Sequence, residues 1–162
     1  MIELALSDLE ATRSLARRLA PALGAGDIIG LAGPLGAGKT TFARALIEAL
    51  AQAGGAGPVG EVPSPTFSLV QVYETGAVPV WHFDLFRLER PADALELAVE
   101  EAFAGAISLV EWPERLGEIM PGDWLELRLE RRGEAEGARR AVIRGHGSRG
   151  RALERALHQA AP

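Results

Sequence analysis

Cysteine is absent from the 162 residues of this chain, and so is any apolar run long enough to span a bilayer. The absence of cysteine excludes disulfides, thiolate catalysis and zinc–cysteine sites. The first ten residues, MIELALSDLE, contain no basic segment followed by an apolar one, so they predict no secretion signal. We therefore expect a cytoplasmic protein that has no membrane partner.

Lysine is nearly absent as well. Sixteen of the seventeen basic residues are arginine, and the single lysine is Lys39. Residues 1–130 carry nine basic and nineteen acidic side chains, whereas residues 131–155 carry eight arginines and three glutamates. The acidic part predicts poor binding of nucleic acid. The arginine-rich part is either a solvated surface or a binding site for nucleic acid or an acidic partner.

Strand and helix patterns alternate along the chain, whose length suits one domain. The predicted order is strand 2–6, a helix from the capping box Ser7–Glu10 to about Pro21–Gly24, strand 27–32, helix 39–52, strands 66–74 and 77–88, helix 91–103, strand 106–112, an antiparallel pair at 123–130 and 139–145, and helix 148–160. This alternation predicts an α/β three-layer sandwich around a mixed, largely parallel sheet.

The only lysine lies in a glycine-rich pattern. Residues 33–40, GPLGAGKT, fit G-x-x-x-x-G-K-[ST] and lie between a predicted strand and a predicted helix. Glycine permits positive φ and close approach to a phosphate, and the N–H groups of such a loop form an anion-binding nest. A compact ammonium group on a flexible stem suits terminal phosphates better than the flat fork of arginine. The predicted nucleotide-binding residues of the loop are Gly36, Ala37, Gly38, Lys39, Thr40 and Thr41.

The motif makes the predicted fold P-loop NTPase-like. We assign residues 1–147 to a P-loop ATPase domain and residues 148–162 to a C-terminal helical extension of that domain. The nucleotide is predicted to be ATP. Recognition of guanine by an Asn-Lys-x-Asp element needs a second lysine, and Asp84 does not open an Asp-x-x-Gly switch.

A magnesium site is expected beside the phosphates. The Thr40 hydroxyl is one candidate ligand. Two apolar segments of the predicted strands, VWHFD and ISLVE, end at Asp84 and Glu111. Ligands gather at the carboxyl ends of strands in open α/β sheets, so each acid is a candidate for the acidic ligand. His82 shares a strand face with Asp84, and we favour a structural role for it.

Four motifs in this order resemble those of the TsaE family, also called YjeE: GPLGAGKTT (33–41), SPTF (64–67), HFDLFRL (82–88) and VEWPE (110–114). The resemblance extends from about Leu9 to Ile143, and its last two motifs are far more specific than the phosphate loop. The family comprises small ATPases of bacterial tRNA N6-threonylcarbamoyladenosine synthesis. One departure is Pro34, where the family usually has Asp; we expect ATP binding to survive it.

The resemblance implies a role for particular residues. Lys39 and the loop amides are implied to hold the ATP phosphates, Thr40 and Glu111 to lie at Mg²⁺, and Asp84 to act in hydrolysis. Thr12 is implied to lie near the base or ribose, and Trp112 near the nucleotide. Thr66 belongs to a segment that resembles a nucleotide-sensing switch, and Arg139 or Arg140 matches a late basic position of the family.

The resemblance also implies protein partners. TsaD and TsaB transfer threonylcarbamoyl to tRNA, and the ATP cycle of TsaE resets their complex, so tRNA is reached only through that complex. Hydrolysis is expected to be slow without partners, because no arginine-finger motif is evident; Arg87 and Arg90 either act in cis or form a surface pair. Two alternatives remain: a small-molecule kinase whose lid is residues 131–140, and a nucleotide-binding scaffold without catalysis.

Overall fold

A computed structural model of the chain describes residues 1–160. Seven strands form one sheet: β1 (Ile2–Leu6), β2 (Ile28–Ala32), β3 (Val70–Tyr73), β4 (Val80–Asp84), β5 (Ile107–Glu111), β6 (Trp124–Arg131) and β7 (Arg139–His146). Their order across the sheet is β1-β7-β6-β2-β5-β4-β3. The four central strands β6, β2, β5 and β4 are parallel, and the outer pairings are antiparallel. The predicted α/β fold with a mixed sheet is confirmed.

The helices cover the two faces of the sheet unequally. They are α1 (Leu9–Leu19), α2 (Lys39–Gly54), α3 (Val99–Gly105) and α4 (Gly147–Gln159), joined by 3₁₀ segments at Ala20–Ala22, Pro91–Leu97 and Pro113–Ile119. Apolar residues of α1, α2 and α4 share one core with the sheet, and α3 and the later two 3₁₀ segments contribute to a second core. None of the helices within residues 1–160 has the length and apolar character that crossing a membrane requires.

The central strand β2 determines where the phosphate loop lies. All five of its residues are buried, as expected for a parallel strand that is covered on both faces. Its carboxyl end leads directly into Gly33, and α2 begins at Lys39. The loop therefore sits at the carboxyl edge of the parallel strands, where β4 and β5 also end at Asp84 and Glu111.

Helix α4 is fixed to the core by a carboxylate–guanidinium pair. Arg149 Nε and Nη2 donate to the two Asp27 oxygens at 2.7 and 2.6 Å, and Asp27 is buried in the turn before β2. Asp123 accepts from the Arg149 amide at 2.8 Å, while Leu153 and Leu157 are buried in the first core. The predicted terminal helix is thus present. The assignment of 148–162 as an extension stays a prediction, and its residues 161–162 lie outside the described part.

Two predicted helix boundaries were wrong. The N-cap of α1 is Asp8 rather than Ser7, because the Asp8 carboxylate accepts from the Ala11 amide at 2.8 Å. The predicted helix 91–103 is broken: a 3₁₀ segment ends at Leu97, Ala98 takes a left-handed φ of 58°, and α3 then begins. A left-handed residue cannot continue a right-handed helix, so the two pieces point in different directions.

The predicted strands around the third and fourth motifs were too long. Strand β3 covers only Val70–Tyr73, and β4 ends at Asp84 rather than Leu88. Leu69 has a φ of 65°, which interrupts extended backbone just before β3. Residues 64–67 are therefore free of the sheet and lie in a loop above the end of β4.

Candidate functional site

The phosphate loop has the backbone that its glycines predict. Gly36 and Gly38 adopt φ of 76° and 103°, and Gly38 is the N-cap of α2. A Cβ on Gly33 would lie 2.2 Å from the Leu129 carbonyl oxygen, so only glycine fits where the loop leaves the sheet. The Pro34 carbonyl accepts the Ala37 amide at 3.1 Å. Proline therefore contributes a hydrogen-bond acceptor at this turn through its carbonyl.

Lys39 folds back onto the loop. Its ammonium group donates to the Gly33 and Pro34 carbonyls at 2.6 and 2.8 Å and lies 4.2 Å from the centre of the Trp112 ring. The side chain is 5% exposed. Burial lowers the pKa of Lys39, while the nearby Glu111, Asp84 and Glu114 carboxylates oppose that shift. The lone lysine is thus a buried cation with acidic neighbours.

The two predicted metal acids are neighbours on adjacent strands. Asp84 on β4 pairs in register with Glu111 on β5, and both side chains are buried. The Thr40 hydroxyl donates to Glu111 Oε1 at 2.8 Å. A hydroxyl and a carboxylate this close fit Mg²⁺, which commonly takes few protein oxygens and completes its shell with phosphates and water. Within residues 1–160, no cluster of three or more metal-binding side chains offers an all-protein site.

Asp84 is also held by the segment that carries the second motif. Its Oδ2 accepts the Thr66 hydroxyl at 3.0 Å, and its Oδ1 accepts the Phe86 amide at 3.1 Å. Ser64 Oγ lies 2.7 Å from Thr66 Oγ1. On the other side, Arg44 of α2 donates to the Val62 carbonyl at 2.5 Å and so ties this segment to the helix that starts at Lys39.

One cavity of about 340 Å³ brings most of these side chains together. Of the predicted site residues, it is lined by Gly36, Gly38, Lys39, Thr40, Thr41, Thr66, Asp84, Glu111 and Trp112. Two predicted residues do not line it. Thr12 is buried beside a smaller adjoining depression shared with Thr41, and the Ala37 side chain is packed in the first core.

The late arginines divide between two roles. Arg139 lines the cavity, and its guanidinium donates to the Ala37 carbonyl at 2.7 Å and to the Gly36 carbonyl at 3.4 Å. Arg140 instead forms ion pairs with Glu3 and Glu130 on the outer sheet face. The resemblance did not distinguish Arg139 from Arg140, and in the structure only Arg139 lines the cavity.

Arg87 and Arg90 also differ in position. Arg87 lines the cavity and lies 4.6 Å from the centre of the exposed Phe67 ring. Arg90 pairs with Asp93 at 3.0 Å within the 3₁₀ turn. The two arginines therefore do not form a pair, and Arg87 is the one at the mouth of the cavity.

Trp112 has an unusual backbone conformation. Its φ of 61° is left-handed, and its ring lies 5.0 Å from that of Phe86 and beneath the Lys39 ammonium. Bulky residues rarely adopt this conformation, and such outliers cluster at functional sites. The strand end at Glu111 and the following Pro113 give a sequence signal for a turn but none for its handedness.

Comparison with known proteins bears on these motifs as a set. The family model described as "Threonylcarbamoyl adenosine biosynthesis protein TsaE" matches residues 6–142. The chain belongs to the TsaE family. All the candidate site residues lie within the TsaE match, whereas α4 lies outside it.

Individual TsaE proteins agree with this assignment. The chain is 39% identical to a tRNA threonylcarbamoyladenosine biosynthesis protein TsaE of Rickettsia felis over 127 residues, which covers 78% of this chain and 71% of that protein. It is 38% identical to the TsaE of Streptomyces coelicolor, covering 85% and 92% of the two chains. The crystal structure of Bacillus subtilis YdiB is similar with a TM-score of 0.77 and 26% identity, covering 98% and 94% of the two chains.

Proposed function

We propose that this chain binds and hydrolyses ATP with Mg²⁺ as an accessory protein of tRNA N6-threonylcarbamoyladenosine (t6A) synthesis at position 37. In this proposal, the ATP cycle resets the TsaB–TsaD complex between turnovers in the cytoplasm. Membership of the TsaE family supports the pathway. The single observation that carries the chemistry is the arrangement of Lys39, Thr40, Asp84 and Glu111 around one cavity at the carboxyl edge of the parallel strands.

In this proposal, different residues of the cavity have different roles in phosphoryl transfer from ATP to water. The loop amides after Gly36 and the Lys39 ammonium bind the phosphate tail, with Lys39 exchanging its two carbonyl partners for phosphate oxygens. Thr40 and Glu111 would hold Mg²⁺, which when bound neutralises charge on the phosphates. Asp84 orients the attacking water and accepts its proton.

The hydrogen bonds of Asp84 support slow hydrolysis without a partner. Both oxygens of Asp84 are hydrogen-bonded, one to Thr66 and one to the Phe86 amide, so the carboxylate is held in one orientation against residues 64–67. Displacement of residues 64–67 would release it. TsaB and TsaD are the proposed partners that cause this displacement, and tRNA is contacted only through their complex.

Turnover in the presence and absence of partners tests the proposal. We expect slow phosphate release by the purified chain with Mg·ATP, and a large increase when TsaB and TsaD are added together. Rapid hydrolysis by the chain alone would contradict the regulated cycle. Binding of ATP with no phosphate release, even with both partners, would indicate a scaffold.

The kinase alternative makes a different prediction. Residues 131–140 form the ends of the antiparallel strands β6 and β7 and the turn 132–138 between them, whereas kinase lids usually lie between helices, so the structure does not favour that alternative. Incubation with ATP labelled at the γ-phosphate and a metabolite extract separates the two functions. Label only in inorganic phosphate supports an ATPase, whereas label in an organic product would support a kinase.

A further inference from the structure

We propose that His82 is a positioning residue for the magnesium site: its Nε2–H group fixes the carboxylate of Glu111 in the orientation that Mg²⁺ requires. The inference rests on the proposed function and deepens it, because it names a residue outside the cavity on which metal affinity depends. Sequence reasoning favoured a purely structural role for this histidine.

The geometry around Glu111 is that of a carboxylate held at both oxygens. Oε1 accepts the Thr40 hydroxyl at 2.8 Å, and Oε2 lies 2.7 Å from His82 Nε2. His82 and Glu111 belong to the neighbouring parallel strands β4 and β5, so the backbone fixes the distance between them. The two contacts together define the plane of the carboxylate.

The second ring nitrogen of His82 indicates which tautomer is present. Nδ1 is buried and has no hydrogen-bond partner among residues 1–160. A hydrogen on Nδ1 would be a buried donor without an acceptor, whereas a bare lone pair leaves no donor unsatisfied. The hydrogen therefore sits on Nε2, where Glu111 Oε2 accepts it.

Of the two residues that contact the Glu111 carboxylate, only His82 is inaccessible to a ligand in the cavity. Thr40 lines the cavity, so its hydroxyl would meet a bound nucleotide and metal directly. His82 is 0% exposed and does not line the cavity. The imidazole can hold Oε2 both before and after ATP binds, which leaves Oε1 for the metal. Such outer partners of metal ligands typically matter by about 10- to 100-fold in metal affinity or activity.

The chain offers matched variants for a test. His82→Gln keeps an N–H donor near the Nε2 position, and His82→Leu fills a similar volume without a donor. His146 provides the control, because it also contacts a carboxylate, Glu126 at 3.0 Å, but lies at the end of β7 and does not line the cavity. ATP affinity is measured for each variant by calorimetry, first in EDTA and then over a series of Mg²⁺ concentrations.

We expect His82→Leu to leave the ATP affinity measured in EDTA unchanged. The ATP affinity of the wild type should increase with Mg²⁺, and in His82→Leu the Mg²⁺ concentration that gives half of this increase should be about 10-fold higher or more. His82→Gln should recover most of that loss, and His146→Leu should match the wild type. If His82→Leu retains the wild-type Mg²⁺ dependence, the positioning role is wrong while the proposed function stands. If the wild type itself shows no Mg²⁺-dependent ATP binding, the proposed function fails and the inference falls with it.

A measurement on the unaltered protein covers the case in which His82→Leu does not fold. Long-range ¹H–¹⁵N spectra report the tautomer of each of the three histidines, assigned with His146→Gln and His158→Gln. We expect the Nε2–H pattern for His82 in the nucleotide-free protein. An Nδ1–H pattern would remove the donor to Glu111 and overturn the inference.

Discussion

Lys39, Asp84 and Glu111 are all hydrogen-bonded within the protein. Lys39 is bonded to two loop carbonyls, Asp84 to Thr66 and an amide, and Glu111 to Thr40 and His82. A buried charge without partners is strongly unfavourable, so a free site of this kind needs internal partners to be stable. In the proposed function, binding of Mg·ATP would therefore replace these internal hydrogen-bond partners instead of filling an unsatisfied pocket.

Replacement of Lys39 tests that exchange. We expect Lys39→Ala to weaken ATP binding by about 100-fold or more, because hydrogen bonds to charged groups contribute about 1.5–3 kcal/mol each. Lys39→Arg should also fail, since the guanidinium is bulkier and prefers bidentate geometry. Calorimetry with Mg·ATP measures both, with Arg151→Ala as a control at an exposed position. Wild-type affinity in Lys39→Arg would show that the position requires only a positive charge.

Replacement of the two acids separates binding from turnover. We expect Asp84→Ala and Glu111→Ala to retain part of the ATP affinity, because the loop amides and Lys39 remain, and to lose partner-stimulated hydrolysis. Single-turnover phosphate release together with equilibrium binding measures both effects. Glu89→Ala, which removes an exposed carboxylate from the same segment as Asp84, serves as the control. Normal turnover in Glu111→Ala would place the metal ligand elsewhere.

At the scale of residues, the sequence predicted which side chains lie near the phosphate loop better than it predicted the contacts between those side chains. The glycine positions and Lys39 follow from one local pattern, and Gly36, Gly38 and Lys39 lie around one cavity, while their role in nucleotide binding stays a prediction. The contact between His82 and Glu111 depends on the lateral register of β4 and β5, which no local pattern encodes. The choice between Arg139 and Arg140 likewise depends on where β7 begins relative to the phosphate loop.

Among the elements, α4 depends on a single ion pair for its attachment near β2. The Asp27 carboxylate is 4% exposed, so removal of its guanidinium partner leaves a buried charge with only the Gly24 amide as donor. We expect Arg149→Ala to lower the free energy of unfolding by about 1–3 kcal/mol. Arg149→Lys should recover little, because one ammonium cannot form the same two parallel bonds.

Chemical denaturation measures the effect on stability. The control is Arg151→Ala, an exposed arginine on the same helix, and we expect it to change stability by less than about 0.5 kcal/mol. Equal stability of Arg149→Ala and Arg151→Ala would show that the Arg149–Asp27 pair adds no stability and that the other contacts of α4, among them those of Leu153 and Leu157, hold the helix.

The elements were predicted well where burial alone determines them. The apolar run that became β2 and the alternating pair β6 and β7 were found with nearly correct bounds. The break at Ala98 and the early end of β4 were missed, because both depend on a left-handed or turn conformation at residues other than glycine. Those conformations are imposed by tertiary contacts, which residue preferences do not reveal.

At the scale of the molecule, charge separates the body from the late segment. Residues 1–130 are strongly acidic, and two of the eight arginines of the basic part are already paired, Arg140 with Glu3 and Glu130 and Arg149 with Asp27. We expect the isolated chain to bind tRNA with a Kd of about 10⁻⁴ M or weaker at physiological salt, which is the weak end of the range for non-specific binding.

Filter binding at increasing salt concentration measures this interaction. The TsaB–TsaD complex in the presence of the chain provides the comparison, because tRNA contact is proposed to run through those partners. Non-specific binding to phosphates weakens strongly as salt rises to about 200 mM. If the isolated chain still binds tRNA at that salt concentration, the arginine-rich segment has a direct role in tRNA binding.

The overall architecture was predictable as a class but not as an arrangement. Alternating strands and helices predicted a layered α/β domain, and the phosphate-loop motif placed one strand–loop–helix unit within it. The strand order was not predictable from the sequence. Strand β1 pairs with β7, from opposite ends of the chain, and β2 is flanked by β6 and β5. Such long-range pairing depends on how the faces pack together.

The single, buried Lys39 has a practical consequence for laboratory work. A lysine-specific protease has one cleavage site within residues 1–162, and it lies at the first residue of α2, inside the fold. Digestion should therefore yield two fragments, 1–39 and 40–162, only when the start of this helix opens. Because nucleotide would cover the same bond, the rate of appearance of the two fragments reports local opening and ligand occupancy without any label.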